Sequence, residues 1–223
     1  MTTNKQPVIF CDFDGTITTS DNIVAIMEHF KPAGSEDVMK RILSHEISIR
    51  KGVHILFNLI PSTEREEVTQ FVLQQAQIRE GFGEFLSYVR ERNIPFYITS
   101  GGIDFFLEPI VDPYNIPKEH IYCNGAEFDG DHITITWPHP CDEECNNDCG
   151  MCKATVMRRF PQDLYERILI GDSLTDFEGA KLADQVYSRA SLTKKCVELG
   201  VPHTPFETFF DIRDDLIKRE GER

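Results

Sequence analysis

The apolar positions of the chain follow two rhythms. Val8, Ile9, Phe10 and Cys11 form a short unbroken run, the pattern of a strand buried on both faces in a parallel sheet. Further strands are expected at 94–99, 120–123, 167–172 and 185–188. Between residues 20 and 78 the rhythm is helical instead. Ile23, Ile26, Met27 and Phe30 fall on one face of a helix over 22–30 that Asp21 can cap. Lys31-Pro32-Ala33-Gly34-Ser35 breaks it, and helices follow at 36–44, 48–59 and 62–77, the last opening on a Ser62–Glu66 capping box. Beyond residue 80, helices are predicted at 82–92, 103–111, 153–160, after Asp176 (with Phe177, Ala180 and Leu182 inward) and at 206–218. A hairpin with a tight Asp129-Gly130 turn is expected across 127–137.

Strands alternating with helices imply an α/β fold: a Rossmann-like parallel sheet with helices on both faces. The uninterrupted helical block reads as a small bundle inserted after the first strand. Composition does not disturb this picture. The chain has 223 residues, 40% apolar and 27% charged, ordinary for a globular protein. Its net charge of −14 argues against nucleic acid or an anionic membrane as a partner. A phosphate-bearing ligand would need locally placed cations, helix ends or a metal. With no apolar signal region and no run long enough to cross a bilayer, a cytoplasmic location is expected; the sequence does not give the oligomeric state.

The candidate chemistry lies at strand ends. Asp12 and Asp14 follow the first strand, Ser100-Gly101-Gly102 the second, and Asp172 with Asp176 the fourth. In a parallel sheet these ends share one edge, where open α/β folds bind ligands. Two carboxylates so close repel unless a cation is present, which points to a hard divalent ion.

Asp12-Phe13-Asp14-Gly15-Thr16 and Gly171-Asp172-Ser173-Leu174-Thr175-Asp176 resemble the first and fourth motifs of haloacid-dehalogenase-type phosphatases, with Ser100 matching the second motif and Lys153 the third. The likeness is to the phosphoserine-phosphatase-like branch. It implies a Mg²⁺-dependent phosphomonoesterase acting on a small phosphorylated metabolite. Asp12 would be the nucleophile and Asp14 the general acid–base. Asp12, the Asp14 carbonyl, Asp172 and Asp176 would hold Mg²⁺. Ser100, the amides of Gly101 and Gly102 at a helix N-terminus, and Lys153 would grip phosphate. Residues 1–18 and 80–223 would form the phosphatase core, with the hairpin and a Cys-rich loop at about 124–152, and residues 19–79 a helical cap over the site.

Gly52 stands where phosphoserine-specific members carry a carboxylate-gripping arginine, and Asp21 where they carry glutamate. Those departures argue against phosphoserine as the substrate, and the cap sequence and the Trp137-Pro138-His139-Pro140-Cys141 run, followed by a Cys-rich loop and Lys153, resemble a methionine-salvage branch. Its substrate has an apolar thioether tail; Met27, Phe30 or Phe57 would suit the tail or serve as cap core. Phosphoserine phosphatase is the second reading. A non-catalytic metal-binding interaction module is a third.

Cys141, Cys145, Cys149 and Cys152 crowd one loop, in a chain of seven cysteines. Three readings are open: a metal site, zinc first; plain buried thiols that pin Lys153; or a redox bridge, which the cytosol disfavours.

Overall fold

The computed structural model describes residues 5–221. Among them the strands are β1 (Gln6–Cys11), β2 (Phe96–Ile103), β3 (Ile121–Glu127), β4 (Thr134–Thr136), β5 (Tyr165–Gly171), β6 (Gln185–Ser188) and β7 (Thr204–Pro205). The helices are α1 (Asn22–Phe30), α2 (Ser35–Leu43), α3 (Ile49–Asn58), α4 (Arg65–Gln75), α5 (Phe82–Glu91), α6 (Asp104–Val111), α7 (Lys153–Arg158), α8 (Phe177–Ala180), α9 (Ala190–Leu199) and α10 (Phe209–Gly221). No described helix is long and apolar enough to cross a membrane.

By packing the described residues divide into two units: 5–19, 77–99 and 156–221 in one, and 20–76 with 100–155 in the other. Residues 100–155 thus group with the helical block, whereas the sequence reading assigns them to the core segments. In the first unit β1 lies between β2 and β5, and β6 and β7 follow outward, every pairing parallel. Neighbouring strand residues point to opposite faces, yet Val8, Ile9, Phe10 and Cys11 are all 0% exposed, so both faces of β1 are covered. On one face Phe96 meets Phe82 and Phe85 of α5, which pack with Phe209 of α10. On the other Phe10 meets Tyr97 and Phe160, and Gly179 of α8 lies close to Leu169. This is the predicted parallel sheet with helices on both faces.

In the second unit α1 to α4 form the helical block. Asp21 caps α1 as expected, accepting from the Val24 amide at 3.0 Å, and Ser48 caps α3 through the Lys51 amide at 3.1 Å. The capping box at Ser62 does not form. Ser62 instead begins a 3₁₀ turn at 62–64, its amide donating to the Asp131 carbonyl at 2.9 Å, and its hydroxyl is buried without a partner. The expected third strand and first hairpin arm are one continuous strand, β3, paired antiparallel with β4 (Ala126 opposite Ile135). In the first unit, α9 and β7 occupy a stretch where the sequence predicted no element.

Candidate active site

β1 delivers Asp12 directly from the sheet: its amide still donates to the Ile170 carbonyl of β5 at 2.9 Å. The chain then folds into one tight turn over 13–17 that Gly15 permits at φ 78°. A Cβ on Gly15 would lie 2.5 Å from an Asp172 carboxylate oxygen, so the first motif can approach the fourth only without a side chain here. Thr16 completes the approach, its hydroxyl donating to Asp172 Oδ1 at 2.9 Å. Arg79, which the sequence reading did not single out, holds the turn from behind. Its buried guanidinium donates to the carbonyls of Thr16 and Gly15 at 2.7 Å each and of Thr18 at 3.2 Å. A buried cation satisfied by backbone carbonyls leaves no periodic trace in sequence.

β5 brings Asp172 to the same edge. Asp176 is fully buried and folds back, Oδ2 accepting the amides of Asp172 and Ser173 at 3.0 and 2.9 Å. Gly171 makes room for it, since a Cβ there would sit 2.5 Å from Asp176 Cγ. One carboxylate oxygen from each of Asp12, Asp172 and Asp176 falls within 4.8 Å of the other two. Asp12 is only 4% exposed. Three acids at this range, in low dielectric, form a hard oxygen donor set suited to Mg²⁺. The Asp14 carboxylate is not one of these three groups, although Asp14 lies in the same turn.

The other predicted site residues lie in the second unit. β2 does not stop at Thr99 but continues through Ser100, Gly101 and Gly102 to Ile103, and α6 starts only at Asp104. Gly101 and Gly102 therefore belong to a strand and not to a helix N-terminus. The Asn124 side chain of β3 donates to the Gly101 carbonyl at 2.7 Å, and Ile103 stays extended. Ser100 is buried, its hydroxyl accepting from the Gly102 amide at 2.9 Å. Lys153 is 5% exposed at the first residue of α7.

Within the helical block Phe57 is fully buried against Phe105 and Phe106, and Met27 is 4% exposed, so both belong to its core. Phe30 packs edge-on to Phe71. Gly52 has no space for a side chain: a Cβ would lie 2.2 Å from Ile42. Arg50, Lys51, His54, Trp137 and Asp148 line a 240 Å³ hollow. His54 also escaped the sequence reading; its Nδ1 is buried without a partner. The four clustered cysteines carry free thiols whose sulfurs lie within 4.8 Å of one another. A hydrogen bond from Cys149 holds the Cys152 thiol down to about 4, against its burial.

Comparison with known proteins accords with this geometry. A Brevibacillus brevis protein described as 2-hydroxy-3-keto-5-methylthiopentenyl-1-phosphate phosphatase is 53% identical over 209 residues, covering 94% of each chain. A Bacillus cereus protein of the same description is 50% identical over 208 residues, 93% of this chain and 94% of that one. Among solved structures, a phosphoserine phosphatase from T. onnurineus superposes with a TM-score of 0.69 at 15% identity over 94% of both chains. A Francisella tularensis phosphoserine phosphohydrolase-like protein gives 0.67 at 17% identity, covering 94% of this chain and 99% of that one; likeness at such low identity concerns the fold. The profile of the haloacid dehalogenase-like hydrolases matches residues 9–181, a span that holds all four motifs from Asp12 to Asp176, and the chain belongs to that family.

Proposed function

We propose that the protein is a Mg²⁺-dependent phosphomonoesterase that hydrolyses 2-hydroxy-3-keto-5-methylthiopentenyl-1-phosphate in methionine salvage. The convergence of Asp12, Asp172 and Asp176 carries the reaction class. Relatives at 53% and 50% identity, described by that activity, support the substrate.

A carboxylate oxygen of Asp12 attacks phosphorus as the bond to the leaving oxygen breaks, giving an aspartyl-phosphate and an alkoxide. Asp14, protonated at the start, gives its proton to that alkoxide. It then takes a proton from water, which attacks phosphorus and releases inorganic phosphate with Asp12 restored. Asp12, Asp172 and Asp176 would hold Mg²⁺, which when bound would offset the repulsion between the attacking carboxylate and the phosphate. Ser100 and Lys153 serve phosphate binding, and the helical block serves as a cap that excludes water. Asp176 fixes the metal-binding loop through its two amide bonds. The lack of room at Gly52 supports setting phosphoserine aside, because an arginine there would have to displace Ile42.

Phosphate release from the two substrates, with Mg²⁺ present, tests the assignment. kcat/KM for the methylthiopentenyl phosphate should exceed that for phosphoserine by about 100-fold or more. Asp12→Asn should reduce turnover roughly 10⁴-fold or more with an unchanged unfolding midpoint. Equal or faster phosphoserine turnover would overturn the substrate; a largely active Asp12→Asn enzyme would overturn the nucleophile.

A further inference from the structure

Residues 137–152, between β4 and α7, form no helix or strand, yet four side chains of one kind converge inside this loop. Cys145 and Cys152 are buried, Cys141 and Cys149 partly so, and all four are free thiols. Their sulfurs all lie within 4.8 Å of one another, and the Cys145–Cys149 pair is 4.0 Å apart. Four thiolates at about 2.3 Å around a tetrahedral ion stand about 3.8 Å apart. The cluster needs to contract by only a few tenths of an ångström at that pair to reach this spacing. No two sulfurs are singled out as a pair, as a redox bridge would require.

The loop also supplies what thiolate ligands need from their surroundings. Backbone amides donate to three of the four sulfurs: Cys149 N to Cys141 Sγ at 3.4 Å, Asn147 to Cys145, and Thr155 to Cys152. Amide donors of this kind spread the charge of metal-bound sulfur and fix its orientation. The Thr155 hydroxyl reaches back to the Asp142 amide at 3.0 Å, and Cys152 N donates to the His139 carbonyl at 2.8 Å, so the ends of the loop are tied around the sulfurs. A hard ion would not choose four sulfurs, whereas zinc does.

We propose that Cys141, Cys145, Cys149 and Cys152 hold one structural zinc ion. Zinc displaces the remaining thiol protons to solvent and needs no change of oxidation state. The centre closes the loop immediately before Lys153. It also braces Asp148, which accepts from Ser48 at 2.6 Å and from Arg50 at 3.2 Å at the start of α3. Zinc is thus a positioning device for Lys153 and for the first turn of α3.

The test is elemental analysis of the full chain, purified under reducing conditions without a histidine tag and dialysed against a mild chelator that strips Mg²⁺. About one zinc per chain should remain. Cys145→Ser and Cys149→Ser should each retain less than roughly a tenth of that, while Cys196→Ser, outside the cluster, keeps it. Should the cluster variants fail to fold, the wild-type chain decides. Metal-stripped protein reloaded with Co²⁺ should show the intense visible bands of a tetrahedral cobalt thiolate, and four thiols should become reactive only on metal removal. Absence of zinc together with absence of those cobalt bands overturns the proposal. So does iron in place of zinc, or full zinc retention by both cluster variants. None of these readouts uses turnover, so the result stands apart from the phosphatase assignment.

Discussion

Asp215 shows how much one carboxyl can do away from the strand ends. It accepts from the Tyr187 hydroxyl of β6 at 2.7 Å and from Arg219 at 2.6 Å, joining the closing helix to the sheet. Burial pushes its carboxyl up, but the bonds from Tyr187 and Arg219 outweigh burial and hold it below the ordinary carboxylate range. A pKa lowered by folding contributes stability that is complete above the unfolded value near 4 and is lost as pH falls through the folded one. Asp215→Asn should therefore cost about 1 kcal/mol at pH 7, and the gap should narrow as pH drops below about 4. Urea unfolding of both proteins across that range checks it; a gap independent of pH removes the charge from the explanation. Asp12 and Asp172 stand beyond apolar runs that mark strands from sequence alone. Tyr187 with Asp215, and Arg79 with the carbonyls it bonds, reach across long stretches of chain, and no local pattern announces them.

Among elements, the turn after β5 is tightly constrained. Gly171 lets Asp176 fold back onto the amides of Asp172 and Ser173, and the motif reads in sequence because chemistry and backbone both require it. Gly171→Ala should push the Asp176 carboxylate aside and weaken Mg²⁺ roughly 10- to 100-fold, read as the Mg²⁺ dependence of phosphate release. An unchanged dependence would show that Asp176 has no part in holding the metal loop. The same physics explains where prediction fell short. Ser100-Gly101-Gly102 has the composition of a turn and reads as a strand–helix boundary, but Asn124 of β3 bonds the Gly101 carbonyl and the strand runs on to Ile103. α9 shows no clear period in sequence because its apolar residues do not share one face: Leu192 and Cys196 are buried, but Val197 and Leu199 are exposed.

For the whole molecule, the net charge of −14 and the chemistry pull against each other. A phosphate monoester is close to a dianion at neutral pH, so the field of the protein repels such a substrate even where a bound Mg²⁺ would attract it. Repulsion between exposed charges acts over a Debye length of about 30 Å at 0.01 M salt and about 8 Å at 0.15 M. Attraction at short range is screened far less. Raising the salt should therefore remove more repulsion than attraction and speed the encounter. With Mg²⁺ held saturating, kcat/KM should rise roughly two- to tenfold between about 0.01 and 0.15 M ionic strength. kcat should stay nearly constant, since the chemistry proposed for Asp12 and Asp14 follows binding. Steady-state kinetics across a salt series, with an inert salt that does not compete for Mg²⁺, measures both constants. A fall in kcat/KM would mean that local cations dominate the encounter, and that the acidic surface plays no part in selecting what reaches the site.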